Sequence, residues 1–424
     1  MEQKNLVASL YLRHGAAMKG IDSEEAVEDL NQIARIYNDS GVDKVLLFDL
    51  SEDDMEHEMN IQLIKEINRM IEIPVCAGGN INRIEDIKKL LYSGCRQVFL
   101  NGSKAVTAKL MEEAAKRFGS EKLAVTLHNV DILFKHRQMM EESLSEIYVL
   151  NESVVDAVDN ITSLPCIVMV KDREDFVKYL SKETVMGIGS ELIDHPGTNI
   201  MELKNELARN DISMKRFESS ISWDMFKLNS DGMIPVIVQD YQKLNVLMHA
   251  YMNREAFEMT IALGKMVYYS RSRDQIWVKG ETSGHYQYVK SLTLDCDQDT
   301  ILAKVSQVGV ACHTGAPSCF YKQLMKKDYE EKNPLLVFEN LYNLILERKA
   351  NPKEGSYTNY LLDKGVDKIL KKVGEEATEI VIAAKNPETE EIKYEISDFL
   401  YHIMVLMVEK GVTWEEITQE LANR

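Results

Sequence analysis

The sequence predicts a multi-domain protein with an N-terminal (β/α)8-like barrel, a central mainly-β α+β domain and a C-terminal all-α helical bundle, and three observations predict it. Between Leu6 and Leu207 short apolar runs alternate with amphipathic stretches about eight times, the rhythm of a parallel barrel of roughly 200–250 residues. From Trp223 to Lys327 the segments are rich in Val, Tyr and Ile with turn residues between them, which reads as β structure. After the charged, proline-ended linker "KKDYEEKNP", apolar residues recur at i, i+3 and i+4 to the end of the chain, the signature of amphipathic helices. The boundaries that follow are 1–222, 223–327 and 333–424.

In the first domain the strands are "KVLLFDL", "IPVCAGG", "QVFLNGS", "KLAVTLH", "IYVL", "PCIVMV" and "VMGIGS", separated by helical patterns such as "SEEAVEDLNQIARIY". Ile73–Leu91 and Leu164–Leu180 form a faint internal repeat, each a Pro-led strand followed by a helix containing Glu-Asp. "IPVCAGGNINRIEDIKKLLYSGCRQVFLNGS" resembles the third and fourth strands of the phosphate-binding barrels of histidine synthesis, namely the cyclase subunit of imidazole glycerol phosphate synthase and the related isomerase. The resemblance implies one phosphate at Gly78, Gly79 and Ser103, with Asn101 and Gly102 in the matching loop. Those enzymes use an acid at the end of strand 1 and another at the end of strand 5. The matching positions here are Tyr11 and His128, neither of them a carboxylate, and Asp49 is the nearest alternative acid. The second phosphate strand reads "CIVMVKD" where Gly-Gly is expected, although "GIGSEL" persists after strand 8. The expectation is a degenerate barrel that is structural, oligomerising or ligand-sensing.

The central domain should contain the strands of "IPVIVQDYQKLNVLMHAYM", "MVYYSRSRDQIWVKG" and "HYQYVKSLTLDCD" and the helix "NREAFEMTIALG". Half of the six cysteines, Cys296, Cys312 and Cys319, fall in "LDCDQDTILAKVSQVGVACHTGAPSCF". Three thiolates leave one tetrahedral position open, as in a catalytic zinc that activates a water; three unrelated thiols, or a structural site completed by His313, are the alternatives. Asp295, Asp297 and Asp299 alternate around Cys296. If that segment stays extended, the carboxylates share one side, a hard-oxygen set suited to Mg2+. Arg271, Arg273 and Lys279, with the polar run Gly280, Glu281, Thr282, Ser283, Gly284 and His285, suit a phosphate and a ribose in a chain of net charge −18. "YSRSR", "WVKGETSGH", "LDCDQD" and "ACHTGAPSCF", in that order, resemble phosphoribosyl-AMP cyclohydrolase. The resemblance implies water attack at C6 of the adenine ring and breakage of N1–C6, and it adds Trp277 to the substrate contacts. It further implies Mg2+ on the three aspartates, and zinc assembled across a homodimer from Cys296 of one chain with Cys312 and Cys319 of the other. His313 is the candidate proton-transfer group, with a ligand-orienting role as its alternative and His285 as a second shuttle.

In the last domain Glu376 and Glu379 sit three apart on one helix, and Glu395 and Asp398 three apart on the next. Two antiparallel helices can then aim four carboxylates at one Mg2+, and Ile380, Val381, Ile382, Phe399 and Leu400 are expected to set these faces beside a core. Lys364, Lys368, Lys371 and Lys372 lie upstream, some of them on the carboxylate side. "SYT", "KVGEEATE" and the E-x-x-E…E-x-x-D arrangement are similar to phosphoribosyl-ATP pyrophosphohydrolase. This implies Glu376 and Glu379 as catalytic groups, and Lys364, Lys368 and Lys372 as contacts to the substrate phosphates. The product of that reaction, phosphoribosyl-AMP, is the substrate of the other, so two consecutive hydrolyses on one chain are expected. A nucleotide-sensing scaffold of binding-only modules is the competing reading.

Composition bounds the rest. With 45% hydrophobic and 28% charged residues in 424, the chain has ample core to fold without staples. Sparse cysteine argues for free thiols or metal ligands rather than a disulfide framework. The acidic balance argues against nucleic acid or anionic membrane as partner. No run approaches the ~18 apolar residues of a membrane span, and "MEQKNLVASLYLRHG" lacks a signal-peptide core, so a cytoplasmic enzyme is expected.

Overall fold

Each strand of the first domain is apolar on both faces because both faces are covered, one by the barrel interior and one by helices. Strands β1 (Asn5–Arg13), β3 (Lys44–Asp49), β4 (Val75–Gly79), β5 (Gln97–Asn101), β6 (Leu123–Leu127), β7 (Glu146–Val149), β8 (Cys166–Met169) and β9 (Val185–Gly189) are parallel neighbours, and β1 pairs with both β3 and β9. The ring is therefore closed with eight parallel strands, and the short β2 (Ala16–Met18) folds back antiparallel on β1. This computed structural model describes residues 2–104, 107–327, 336–387 and 389–422. It divides into two units, Met1–Gln323 and Leu324–Arg424; most of the linker "KKDYEEKNP" lies outside the described residues.

Alternation along β1 shows how the barrel is built. Leu6, Ala8, Leu10 and Leu12 join the core between strands and helices, while Val7 joins Leu46, Phe48, Cys76, Phe99, Ala124, Tyr148 and Ile167 inside. Aromatic rings pack across that interior, Tyr11 stacked on Phe48 at 5.4 Å, Phe48 tilted against Phe99 at 5.0 Å and Phe99 edge-on to Tyr148 at 5.3 Å. The centre is a packed core. The two repeat segments become β4 with the helix Ile84–Tyr92 and β8 with the helix Phe176–Leu180, four strands apart and so on opposite sides of the ring.

The rest of the first unit is a mixed sheet of order β11-β10-β15-β14, from β10 (Ile234–Asp240), β11 (Val246–Met252), β14 (Gln287–Leu294) and β15 (Ile301–Gln307), with a separate hairpin of β12 (Val267–Ser270) and β13 (Gln275–Val278). The helix Arg254–Leu263 starts at Asn253, whose side chain accepts from Ala256 N–H, and stops at Gly264 with φ 66°. The sheet is tied to the barrel by charge. The Asp39 carboxylate lies 2.9 Å from Lys290 Nζ and accepts from Ser306 Oγ at 2.6 Å, while Glu72 accepts from Tyr241 Oη at 2.8 Å and pairs with Lys290 at 3.2 Å.

The second unit is helical, with helices Val337–Ala350, Tyr357–Lys364, Val366–Ala383, Thr389–Lys410 and Trp414–Ala422. Gly365, at φ 77°, breaks "NYLLDKGVDKILKKVGEEATEIVIAAK" into two. The core gathers Tyr342, Ile345, Leu361, Ile369, Met404, Val405, Met407 and Val408. One expectation is corrected here: Val381 and Ile382 are 63% and 58% exposed. The core sits at the other end of the helical hairpin, so the tip that carries these residues projects beyond it. No described helix is long and apolar enough to cross a membrane.

Candidate functional site

The three alternating aspartates do come together, but for a different reason from extended geometry. Strand β14 ends at Leu294, and the chain turns back into β15 through Asp295–Thr300. Asp295 Oδ1 accepts from the N–H groups of Asp299 (3.0 Å) and Thr300 (3.1 Å), and Gln298 takes a left-handed φ of 68°. A tight hairpin loop, not period-two alternation, therefore brings one oxygen of each of Asp295, Asp297 and Asp299 within 4.8 Å of the others, all exposed. Local desolvation pushes the Asp295 carboxyl up, yet the N–H donors of Thr300 and Asp299 outweigh it and hold the carboxyl below its usual range. Cys296 is exposed on the same loop.

Cys312 and Cys319 lie on the loop after β15 and interact with each other. Cys312 is buried, with Sγ 3.1 Å from Thr314 Oγ1 and 4.0 Å from His313 Nδ1. The Thr314 hydroxyl and N–H draw its thiol down toward the thiolate, whereas burial and the nearby Cys312 push Cys319 up. Cys319 is anchored by its N–H to Leu247 O at 2.7 Å. No group of three metal-donor side chains includes a thiol among the described residues. Lys279, expected to meet substrate, is 6% exposed and directs its ammonium to Ala311 O at 2.9 Å, in the field of both thiols.

The Arg271 guanidinium lies 3.8 Å over the Tyr251 ring, Arg273 is exposed, and Trp277 packs on Tyr268 at 5.6 Å. Gly280 at φ 90° and Gly284 at φ 74° shape an exposed turn closed by Gly284 N–H to Gly280 O at 2.8 Å, which presents Glu281, Thr282 and Ser283 to solvent. A Cβ on Gly280 would come 2.4 Å from Tyr286 N, so this glycine is required. The His285 ring rests against Gly309, three residues before Cys312.

In the helical unit, Glu376, Glu379 and Glu395 place carboxylate oxygens within 4.8 Å of one another. Desolvation first, then the charges of Glu379, Glu376 and Asp398, raise the Glu395 carboxyl, as expected where like charges converge. Asp398 contributes charge but is exposed and outside the three-residue group. Lys372 Nζ reaches Glu375 at 3.0 Å and Glu376 at 3.3 Å; Lys371 pairs with Glu375 at 3.4 Å. Lys364 is exposed and Lys368 half-buried. Sequence reasoning missed His402, buried with Nδ1 3.6 Å from Glu376 Oε1. Its i+7 spacing from Glu395 on one helix was the available signal.

At the barrel mouth the structure bears on the missing acids. Tyr11 is stacked on Phe48, and His128 is exposed beyond β6. Asp49 is buried beneath donors from Asn60 (2.6 Å), Ser51 N–H (3.0 Å) and His57 Nδ1, and these donors hold its carboxyl low against burial. It ties the β3 loop to the helix Asp54–Met70. A Cβ on Gly78 would lie 1.9 Å from Phe99 O, and one on Gly79, at φ 137°, 2.0 Å from Asp49 O; both glycines are demanded by strand packing. Ser103 is exposed, its N–H capped by Asn101 at 2.9 Å.

A parallel barrel joined to a mixed-sheet domain that carries thiols and aspartates, followed by a helical hairpin of carboxylates, defines a multidomain enzyme with two carboxylate clusters. Residues 248–321 match the phosphoribosyl-AMP cyclohydrolase family, 338–424 the phosphoribosyl-ATP pyrophosphohydrolase family, and 5–162 the histidine biosynthesis protein family. The chain is 50% identical over 208 residues to the histidine biosynthesis bifunctional protein HisIE of Thermoanaerobacter pseudethanolicus, covering 96% of that protein and 46% of this chain. It is 54% identical over 198 residues to the protein of the same name from Caldanaerobacter subterraneus (95% and 47%), and 47% identical over 201 residues to that of Bacillus subtilis (95% and 47%). The chain belongs to the bifunctional HisIE family of histidine biosynthesis, and it is an enzyme with cyclohydrolase and pyrophosphohydrolase domains. The barrel match ends at 162, before "CIVMVKD" and "GIGSEL".

Proposed function

We propose that the chain carries out two consecutive hydrolyses, with modules at 1–222, 223–327 and 333–424. The last splits phosphoribosyl-ATP with water into phosphoribosyl-AMP and pyrophosphate, and the middle one adds water at C6 of the adenine ring and breaks N1–C6. The observation that carries the reading is the three-carboxylate convergence at Glu376, Glu379 and Glu395, with Lys372 beside it. Those residues, with Asp398, would hold Mg2+; Asp295, Asp297 and Asp299 would hold a second, and the three cysteines zinc. When bound, these ions supply Lewis acidity to the phosphate bridge and to the attacking water. Lys372 offsets charge on the departing pyrophosphate, with Lys364 and Lys368 along the phosphates. His313, beside Cys312, moves the proton in ring opening, and His285 is the second candidate. The turn Gly280–Gly284, with Arg271, Arg273 and Trp277, receives the phosphoribosyl groups. In this proposal a homodimer completes the zinc site, with Cys296 of one chain and Cys312 and Cys319 of the other. Full-length protein given phosphoribosyl-ATP with Mg2+ and Zn2+ should release pyrophosphate and show the absorbance change of ring opening; metal-loaded protein without turnover overturns the reading in favour of a nucleotide-sensing scaffold.

The barrel, in this proposal, is a non-catalytic scaffold. Its interior is filled by aromatic rings, Asp49 is occupied by structural donors, and Asp39 and Glu72 clamp the cyclohydrolase sheet. Turnover of the cyclase or isomerase substrate by the full chain would defeat this assignment.

A further inference from the structure

His402 is 4% exposed and so is Glu376. Nδ1 of His402 has no hydrogen-bond partner among the described residues, and it faces Glu376 Oε1 at 3.6 Å. Nε2 lies 3.2 Å from Tyr357 Oη, on a helix whose start is capped by Ser356. The imidazole is held edge-on by Tyr357 and Tyr401, with centroids at 6.0 and 5.2 Å; Tyr401 Oη is itself 2.8 Å from Thr358 Oγ1. A tyrosine hydroxyl donating to Nε2 leaves the proton of a neutral imidazole on Nδ1, the nitrogen turned to the carboxylate. The great majority of buried N–H donors are paired, and the acceptor that Nδ1 faces is Glu376 Oε1. Oε1 also faces Lys372 at 3.3 Å, so one oxygen of Glu376 is addressed from two sides.

Resting on the reading of Glu376 as a Mg2+ ligand, we propose that His402 is a positioning residue that orients the Glu376 carboxylate for metal binding, with Tyr357 selecting its tautomer. Outer partners of metal ligands typically change affinity about 10–100-fold when removed. The test is Mn2+ binding to the full chain, followed by the electron paramagnetic resonance of free Mn2+. The relevant site is the one lost in Glu376→Gln. His402→Leu should weaken that site about 10–100-fold, and His402→Asn, whose amide nitrogen sits near the place of Nδ1, should restore most of it; ring opening of supplied phosphoribosyl-AMP should be unchanged in both. An isotherm for His402→Leu that superimposes on wild type, while Glu376→Gln loses a site, overturns the proposal alone. If Glu376→Gln loses no site, the metal reading falls and takes the proposal with it. Should His402→Leu unfold, Tyr357→Phe carries the test, because it removes only the hydroxyl; unchanged Mn2+ affinity there overturns the proposal.

Discussion

At the scale of single residues, the two proposed chemistries rest on different side chains, and substitutions should separate them. Cys312→Ala should abolish ring opening and leave pyrophosphate release near wild type, since Cys312 is a buried thiol drawn toward the thiolate by Thr314. A variant that keeps zinc and full cyclohydrolase rate would refute the assignment. Glu376→Gln should do the reverse, stopping pyrophosphate release while supplied phosphoribosyl-AMP is still opened. Asp194 carries a pH dependence of a different kind. Its carboxylate accepts Ser9 N–H at 2.6 Å, filling the place that strand pairing leaves after β9 ends, and burial raises its carboxyl to about 8. Because the folded value exceeds the ordinary 3.8, the stabilisation is complete below that value and is lost as pH rises through about 8. Asp194→Asn keeps an acceptor for Ser9 but nothing to ionise. It should therefore gain on wild type by a few kcal/mol, to order of magnitude, between pH 5.5 and pH 9, as read from urea midpoints; equal losses in both proteins would contradict this.

At the scale of elements, the loops after strands do more than the strands. The β14–β15 turn converges three aspartates because Asp295 caps two N–H groups and Gln298 accepts a left-handed backbone, neither of which period-two reasoning could supply. In the helical hairpin, i+3 spacing was enough to foresee Glu376 with Glu379, since a helix fixes which residues share a face. It did not reveal that Val381 and Ile382 point to water, because periodicity does not say where a core ends along a helix. The β4 glycines illustrate the same limit. Gly79 reads as a phosphate-binding glycine in the sequence, yet its position against Asp49 O and its φ of 137° make it a packing requirement. Gly79→Ala should destabilise the protein by about 2–4 kcal/mol, from backbone strain plus overpacking, whether or not phosphate is present. A loss of phosphate affinity with unchanged unfolding midpoint would show that the packing account is wrong.

At the scale of the whole molecule, the proposed sharing of a zinc site between Cys296 of one chain and Cys312 and Cys319 of the other leads to the strongest test of the homodimer. Cys296→Ala and Cys312→Ala should each be inactive in ring opening. Mixed and allowed to exchange subunits, half the dimers are heterodimers, each with one intact site built from Cys296 of one chain and the thiol pair of the other, so about a quarter of wild-type activity should return. No recovery despite exchange would place the whole zinc site in one chain. The barrel enters at this scale too. Asp39, whose side chain is 4% exposed, meets Lys290 and Ser306 across the contact with the sheet, so the module without an assigned chemistry is bound into the unit that has one.

The sequence by itself determined the eight-fold strand–helix rhythm, the order of the modules and the residue types of each centre, because periodicity and short motifs are local and survive without coordinates. It also placed Tyr11 and His128 where acids are expected. Only the tertiary structure decided which of those residues meet. It drew the aspartates together in a hairpin loop, turned Lys279 to Ala311 O in the field of the thiols, occupied Asp49 with His57 and Asn60, and brought His402 to Glu376 from another helix. The reason is that side-chain direction at a turn, and contact between helices, depend on packing among residues distant in the chain, which no spacing along it encodes.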